Sequence, residues 1–180
     1  QSQWQLYNSD VSRAFRDTNY MPELLVSYKP AIDLGGGFNW NLLSAGFNHQ
    51  SNGRSDVLSR SWNRLFAEVG VERDSLALSA RAWYRLPEDA GTDDNPDITD
   101  YYGHGEISAL YRWRGNSFAA MARGNLSTGK GAVQLGCFSP PILGPLRGYV
   151  QVFSGYGETL IDYNWKQNTI GVGIALSDGF

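Results

Sequence analysis

The chain has little cysteine, little charge and no long apolar run. Its single cysteine, Cys137, excludes an internal disulfide and leaves the redox compartment open. Only 18% of the 180 residues are charged and the net charge is -3, so no basic surplus points to a nucleic-acid partner. No stretch of about 18 or more apolar residues occurs, which excludes a transmembrane helix but not a membrane, because barrel strands carry no such run. Histidine is scarce as well, with two in the whole chain. What is abundant is glycine, 21 residues, and aromatic residues, 13%. That mixture is common in aromatic-girdled β-structures. Length and even composition indicate one domain over residues 1–180, and the absence of a leader suggests a processed or truncated piece.

Apolar residues recur with period two. In residues 75–86, Leu76, Leu78, Ala80, Ala82, Tyr84 and Leu86 share one parity, while Arg81, Trp83 and Arg85 share the other. A helix would scramble that order. Similar alternation marks residues 1–7, 23–32, 38–50, 61–71, 106–114, 118–126, 132–138, 147–155, 160–167 and 169–176, with turn clusters such as "LGGG", "RGNS", "STGKG" and "SPPILGP" between them. Strands, not helices, are expected throughout. The polar faces hold Arg64, Glu68, Arg81, Arg85, Glu106 and Arg112, too large and charged for a sandwich core. Strands of about ten residues, aromatic residues near their ends and a terminal Phe180 favour a transmembrane barrel, with the apolar face to lipid and the charged face to the lumen.

One histidine breaks that pattern. Leu43, Ala45 and Phe47 lead on the same parity into His49 and Ser51, and Asn63 shares parity with Leu65, Ala67, Val69 and Val71 on the next strand. Residues i and i+2 of a strand lie roughly 6.6 Å apart on one face. Serine needs a base to become a nucleophile, and the base needs an orienting partner, which an asparagine amide can supply. The same residues equally suit a polar cluster where strands leave the lipid, and a bare H-x-S motif does not separate the two. His104, between Gly103 and Gly105, shares parity with Glu106 and reads as a lumen or loop residue. "GNLSTGKG" is a hairpin rather than a phosphate loop, because Gly131 replaces the required Ser/Thr.

The segments "NHQSNGRSD" and "SRSWNR", with "FRDTNY", "TDDNPDIT" and "VFSGYGETLIDYN", resemble outer membrane phospholipase A, a family of bacterial calcium-dependent serine hydrolases. The resemblance runs in order along essentially the whole chain. It implies an antiparallel transmembrane β-barrel of twelve strands, of which this chain lacks the first, leaving about eleven. It further implies Ser51 as nucleophile, His49 as base, Asn63 as orienter and the Gly53 N–H as oxyanion donor; independently, a glycine after Ser-Asn suits a tight bend. For a calcium ion it implies the Arg54 carbonyl, the Ser59 hydroxyl and the Asp94 carboxylate, with Asp56 nearby and Ser12 contributed by a second subunit. Taken alone, "DDNPD" reads as a solvated turn. A calcium-promoted homodimer, phospholipid substrates and an outer-membrane location belong to the same expectation. Gln50, where relatives often carry an acidic residue, is expected to point away from the catalytic face. Two rival readings are a lipid A deacylase, which uses a Glu in place of Asn63, and a barrel without chemistry whose lumen is open.

Overall fold

The computed structural model describes residues 2–4, 15–55 and 57–176. Ser12, Asp56 and Phe180 lie outside the described residues. A short pair, β1 (Ser2–Trp4) with β2 (Phe15–Thr18), forms its own sheet. The rest is a single antiparallel sheet: β3 (Glu23–Tyr28), β4 (Ile32–Gly35), β5 (Phe38–Ser51), β6 (Ser61–Arg73), β7 (Leu76–Arg85), β8 (Gly105–Trp113), β9 (Asn116–Asn125), β10 (Lys130–Leu143), β11 (Leu146–Tyr156) and β12 (Lys166–Ala175). Its spatial order is β12-β11-β10-β9-β8-β7-β6-β5-β3. β4 continues β3 along the same partner, β5, after a break at Pro30 and Ala31, where Ala31 has φ 53°. Among the described residues β3 and β12 remain unpaired edges, so the sheet does not close.

Period two therefore reports the strands correctly in most segments, and three expectations change. About eleven strands were expected; the described residues form twelve, ten in the main sheet, where β3 and β4 share one partner edge, and two in the separate pair. Residues 160–167 alternate in sequence yet fold as turns until Lys166, because Leu160 and Tyr163 are buried in the interior and Thr159 and Asp162 exchange hydrogen bonds that tighten the chain. Residues 98–102 form a one-turn helix, α1 (Ile98–Tyr102), where no helix was expected; five residues are too few for a helical period to show.

The sheet curves strongly. Arg81 on β7 donates to Glu68 on neighbouring β6 at 2.8 Å and reaches Glu23 on β3 at 2.9 Å across the concave side. The interior is as much aromatic as charged. The Arg64 guanidinium lies 4.0 Å from the Trp62 ring centroid, and Arg123 lies 3.9 Å from that of Tyr102. Trp62, Phe66, Trp83, Ile98, Tyr102, Leu160 and Tyr163 make one buried cluster that joins α1 and residues 157–165 to the wall. Gly103, which ends α1 at φ 70°, permits this approach: a Cβ there would sit 1.9 Å from the Gly124 carbonyl oxygen. The outer face is apolar, with Leu24, Val26, Ile107, Ile170, Val172 and Ile174 exposed. Connections at one end are two-residue turns, such as Arg114–Gly115 with both φ values positive. At the other end the loops are long, residues 52–60, 86–104 and 157–165 among them.

Candidate active site

β5 and β6 meet at the long-loop end. Their register pairs His49 directly with Asn63 and Ser51 with Ser61. β5 is pinned on its other side too: Tyr20 and Ser51 exchange two backbone hydrogen bonds, at 2.8 and 3.0 Å, and the His49 N–H donates to the Pro22 carbonyl at 3.1 Å. His49, Ser51 and Asn63 are each half-buried and share the outer face with exposed Leu43, Phe47 and Leu65. Gln50, on the opposite parity, is buried and accepts from Trp62 Nε1 at 3.0 Å, so it points inward as expected.

The His49 Nδ1 atom lies 2.9 Å from Asn63 Oδ1. An amide oxygen only accepts, so Nδ1 is the donor, and in the neutral ring this tautomer leaves the lone pair on Nε2. The Asn63 amide is itself oriented: its Nδ2 donates to Glu88 Oε1 at 3.5 Å, which turns Oδ1 toward the imidazole. Ser51 Oγ accepts the Gly53 N–H at 3.0 Å. Among the described residues no hydrogen bond joins His49 to Ser51; catalytic hydrogen bonds are often long before substrate arrives. Gly53 has φ +66°, and a Cβ there would lie 2.9 Å from Tyr20 Cε2, so a tyrosine ring lies against the turn.

Beside the turn, the Ser59 hydroxyl donates to Asp94 Oδ2 at 2.6 Å at an exposed position. "DDNPD" is thus no free turn. Asp93 pairs with Arg85 at 2.6 Å, buried Asn95 accepts the Ser61 N–H at 3.0 Å, and Asp97 accepts from the Tyr163 hydroxyl. Burial, reinforced by Asp97, raises the Tyr163 pKa well above the usual tyrosine range. Asp94 is turned toward the 52–60 loop, where it accepts from Ser59, and that loop also holds Arg54. A hydroxyl and a carboxylate in contact beside a loop backbone are the hard oxygens that calcium takes. Among the described residues no group of three His, Cys, Asp or Glu side chains forms. His104 is exposed in the short link between α1 and β8. Sequence reasoning missed Tyr20, Asn52 and Glu88. Tyr20 and Glu88 lie in loops whose approach no periodicity announces; Asn52 follows Ser51 on the inward parity, the one signal available.

An antiparallel wall with an apolar exterior and a filled polar-aromatic interior, carrying Ser51, His49 and Asn63 on its outer face, has the architecture of a β-barrel membrane protein although the described sheet stays open. The chain belongs to the phospholipase A1 family, whose profile matches residues 1–176. It is similar to a putative phospholipase A1 of Neisseria meningitidis serogroup B, at 45% identity over 98% of this chain and 47% of the relative. It is also similar to phospholipase A1 of Escherichia coli K12, at 43% identity over 99% of this chain and 60% of the relative. The chain therefore spans about half to three fifths of the length of these relatives. Among solved structures, outer membrane phospholipase A from Escherichia coli superposes with a TM-score of 0.91 at 42% identity, covering 99% of this chain and 68% of that one. The Salmonella typhi outer membrane phospholipase dimer with bound calcium does so at 0.91 and 41%, with the same coverage.

Proposed function

We propose that this chain forms the catalytic wall of an outer-membrane phospholipase that cleaves acyl esters of phospholipids and lysophospholipids. The observation that carries the reading is the 2.9 Å contact of His49 Nδ1 with Asn63 Oδ1 on the lipid-facing side, which leaves Nε2 free to act. Ser51 Oγ would attack the ester carbonyl while His49 Nε2 takes its proton, then return that proton to the leaving alcohol or lyso-lipid oxygen. Water, activated by the same imidazole, would release the fatty acid from Ser51. The Gly53 N–H, which Ser51 Oγ occupies in the resting site, would turn to the developing oxyanion. Asn63 would hold the tautomer and carry no charge.

Ser59, Asp94 and the Arg54 carbonyl would hold calcium, with Ser12 of a second copy as a further ligand. When bound, the ion would polarise a water facing the oxyanion and tie two copies together. The exposed Leu43, Phe47, Leu65 and Val69 give the apolar outer face on which a second copy would close a cleft for acyl chains beside Ser51. The calcium-bound dimer of the Salmonella typhi relative and the asparagine active-site mutant of the Escherichia coli one support this arrangement. Against a lipid A deacylase stands the partner of His49, an amide rather than a carboxylate. Against an open pore stands the buried cluster of Trp62, Tyr102, Leu160 and Tyr163 across the interior. The test is calcium-dependent release of fatty acid from phosphatidylcholine micelles by wild type and by Ser51→Ala. Equal release by the two would refute the nucleophile; no release by wild type would refute the activity.

A further inference from the structure

The residue between the nucleophile and the oxyanion glycine has a task of its own. Asn52 is 4% exposed and sits in the neck of the 52–60 loop. Its backbone N–H donates to the Arg60 carbonyl at 3.0 Å, closing the neck. Its side chain then ties three backbone points of the loop together: Oδ1 accepts from the Arg54 N–H at 3.3 Å and from the Arg60 N–H at 3.0 Å, while Nδ2 donates to the Leu58 carbonyl at 2.7 Å. One side of this brace is the peptide that follows Gly53; the other side is the peptide that follows Ser59. Arg60 reinforces the second side, its guanidinium donating to the Ser59 carbonyl at 2.5 Å and the Val57 carbonyl at 3.2 Å. Residues 52–55 and 57–60 belong to no strand, and the buried amide links the Gly53 turn to the chain just after Ser59, whose hydroxyl meets Asp94.

We propose that Asn52 is a positioning residue that couples the oxyanion N–H of Gly53 to the calcium side of the loop, the Arg54 carbonyl and the Ser59 hydroxyl, so that loading the loop with calcium and aiming the oxyanion donor are one event. The proposal rests on the functional reading above and adds to it a residue that touches neither substrate nor metal. A buried donor-acceptor amide is suited to this because one rigid plane serves both sides of the loop; an apolar side chain of the same shape would leave two N–H groups and one carbonyl without it. Binding two things through one brace makes them reciprocal: whatever free energy the ion contributes to aiming Gly53 is returned to ion binding when the oxyanion site is filled.

The experiment compares wild type with Asn52→Leu, of similar shape, and Asn52→Asp, which keeps the two accepted bonds. Two quantities are read on protein refolded in detergent micelles with heat-shifted gel mobility. One is kcat per serine titrated with an organophosphonate, on a soluble monoacyl ester in saturating calcium. The other is terbium affinity, followed by luminescence in the Ser51→Ala background, which needs no turnover. Asn52→Leu is expected to lose both, each by about 10–100-fold as for other residues that orient metal ligands, with KM little changed and Asn52→Asp falling between. A merely structural residue would lower the yield of titratable serine and leave kcat per site and terbium affinity alone, and that result overturns the proposal. So does a loss of kcat with unchanged terbium affinity, since the two sides would then be independent. If Asn52→Leu does not fold, Asn52→Ser, whose shorter hydroxyl cannot span the neck, is read in the same two ways. Wild type that neither hydrolyses the ester nor binds terbium overturns the functional reading and this proposal with it, whereas an active wild type matched by the Asn52 variants overturns this proposal alone.

Discussion

Gly53→Ala tests the oxyanion turn with a single methyl group. Two costs can be separated from the structure. The backbone cost comes from φ +66°, a left-handed conformation that a residue with a Cβ holds at about 1–2 kcal/mol. The steric cost comes from the new Cβ lying 2.9 Å from Tyr20 Cε2. Tyr20 is 58% exposed, so its ring can swing away into the lipid-side space, and the backbone cost should dominate. If the turn relaxes to negative φ instead, stability recovers but the N–H no longer faces Ser51. Activity then falls by the loss of one oxyanion donor, on the order of 10²–10³-fold in kcat. The assay is kcat per titrated serine on a soluble ester, alongside urea unfolding of the micelle-bound protein. The double variant Tyr20→Ala/Gly53→Ala removes the clash and leaves the backbone cost, so it should rescue little. A Gly53→Ala protein with both unchanged stability and kcat within about threefold of wild type, a turn that has relaxed without cost to turnover, would mean that this N–H does not stabilise the transition state. Full rescue by Tyr20→Ala would mean that the contact, not φ, is what demands glycine.

Asn63→Ala should lower kcat by less than the roughly 10²–10⁴-fold that loss of a general base costs, because His49 remains; losses equal to those of Ser51→Ala on the same ester would contradict an orienting role. Asp94→Ala should weaken both calcium-dependent activity and calcium-promoted dimerisation, and identical sedimentation of wild type with calcium and with chelator would remove calcium from the account. Tyr163→Phe should change the pH profile of stability at the alkaline end. Burial and Asp97 raise the folded pKa of Tyr163, so its stabilisation is complete below the unfolded tyrosine value of about 10 and is lost as pH rises above it. Urea titrations from neutral to alkaline pH should therefore show a smaller alkaline loss in the variant; equal slopes would refute the burial argument.

The sequence by itself determined the wall and the face that carries the proposed site. Strict period two fixes which side chains point out, so His49, Ser51 and Asn63 could be assigned to the apolar exterior, and Gln50 and Arg81 to the interior, before any coordinates. Alternation failed at residues 160–167, because Leu160 and Tyr163 fill the interior from turns, a burial that local pattern does not distinguish from a strand face. Only the tertiary structure decided the register that sets His49 opposite Asn63, since a slip of one residue on β6 would have turned that amide inward. It alone brought Glu88 to Asn63 across 25 residues and Tyr20 against Gly53, and it put Asp94, which the resemblance had grouped with Ser59, in contact with it across 35. Contacts at such separations are made by strand order and loop closure, and neither leaves a period in the chain. Asn52 lies between the two cases: its inward parity was legible, but the loop it braces exists only once both ends of residues 52–60 are held by paired strands.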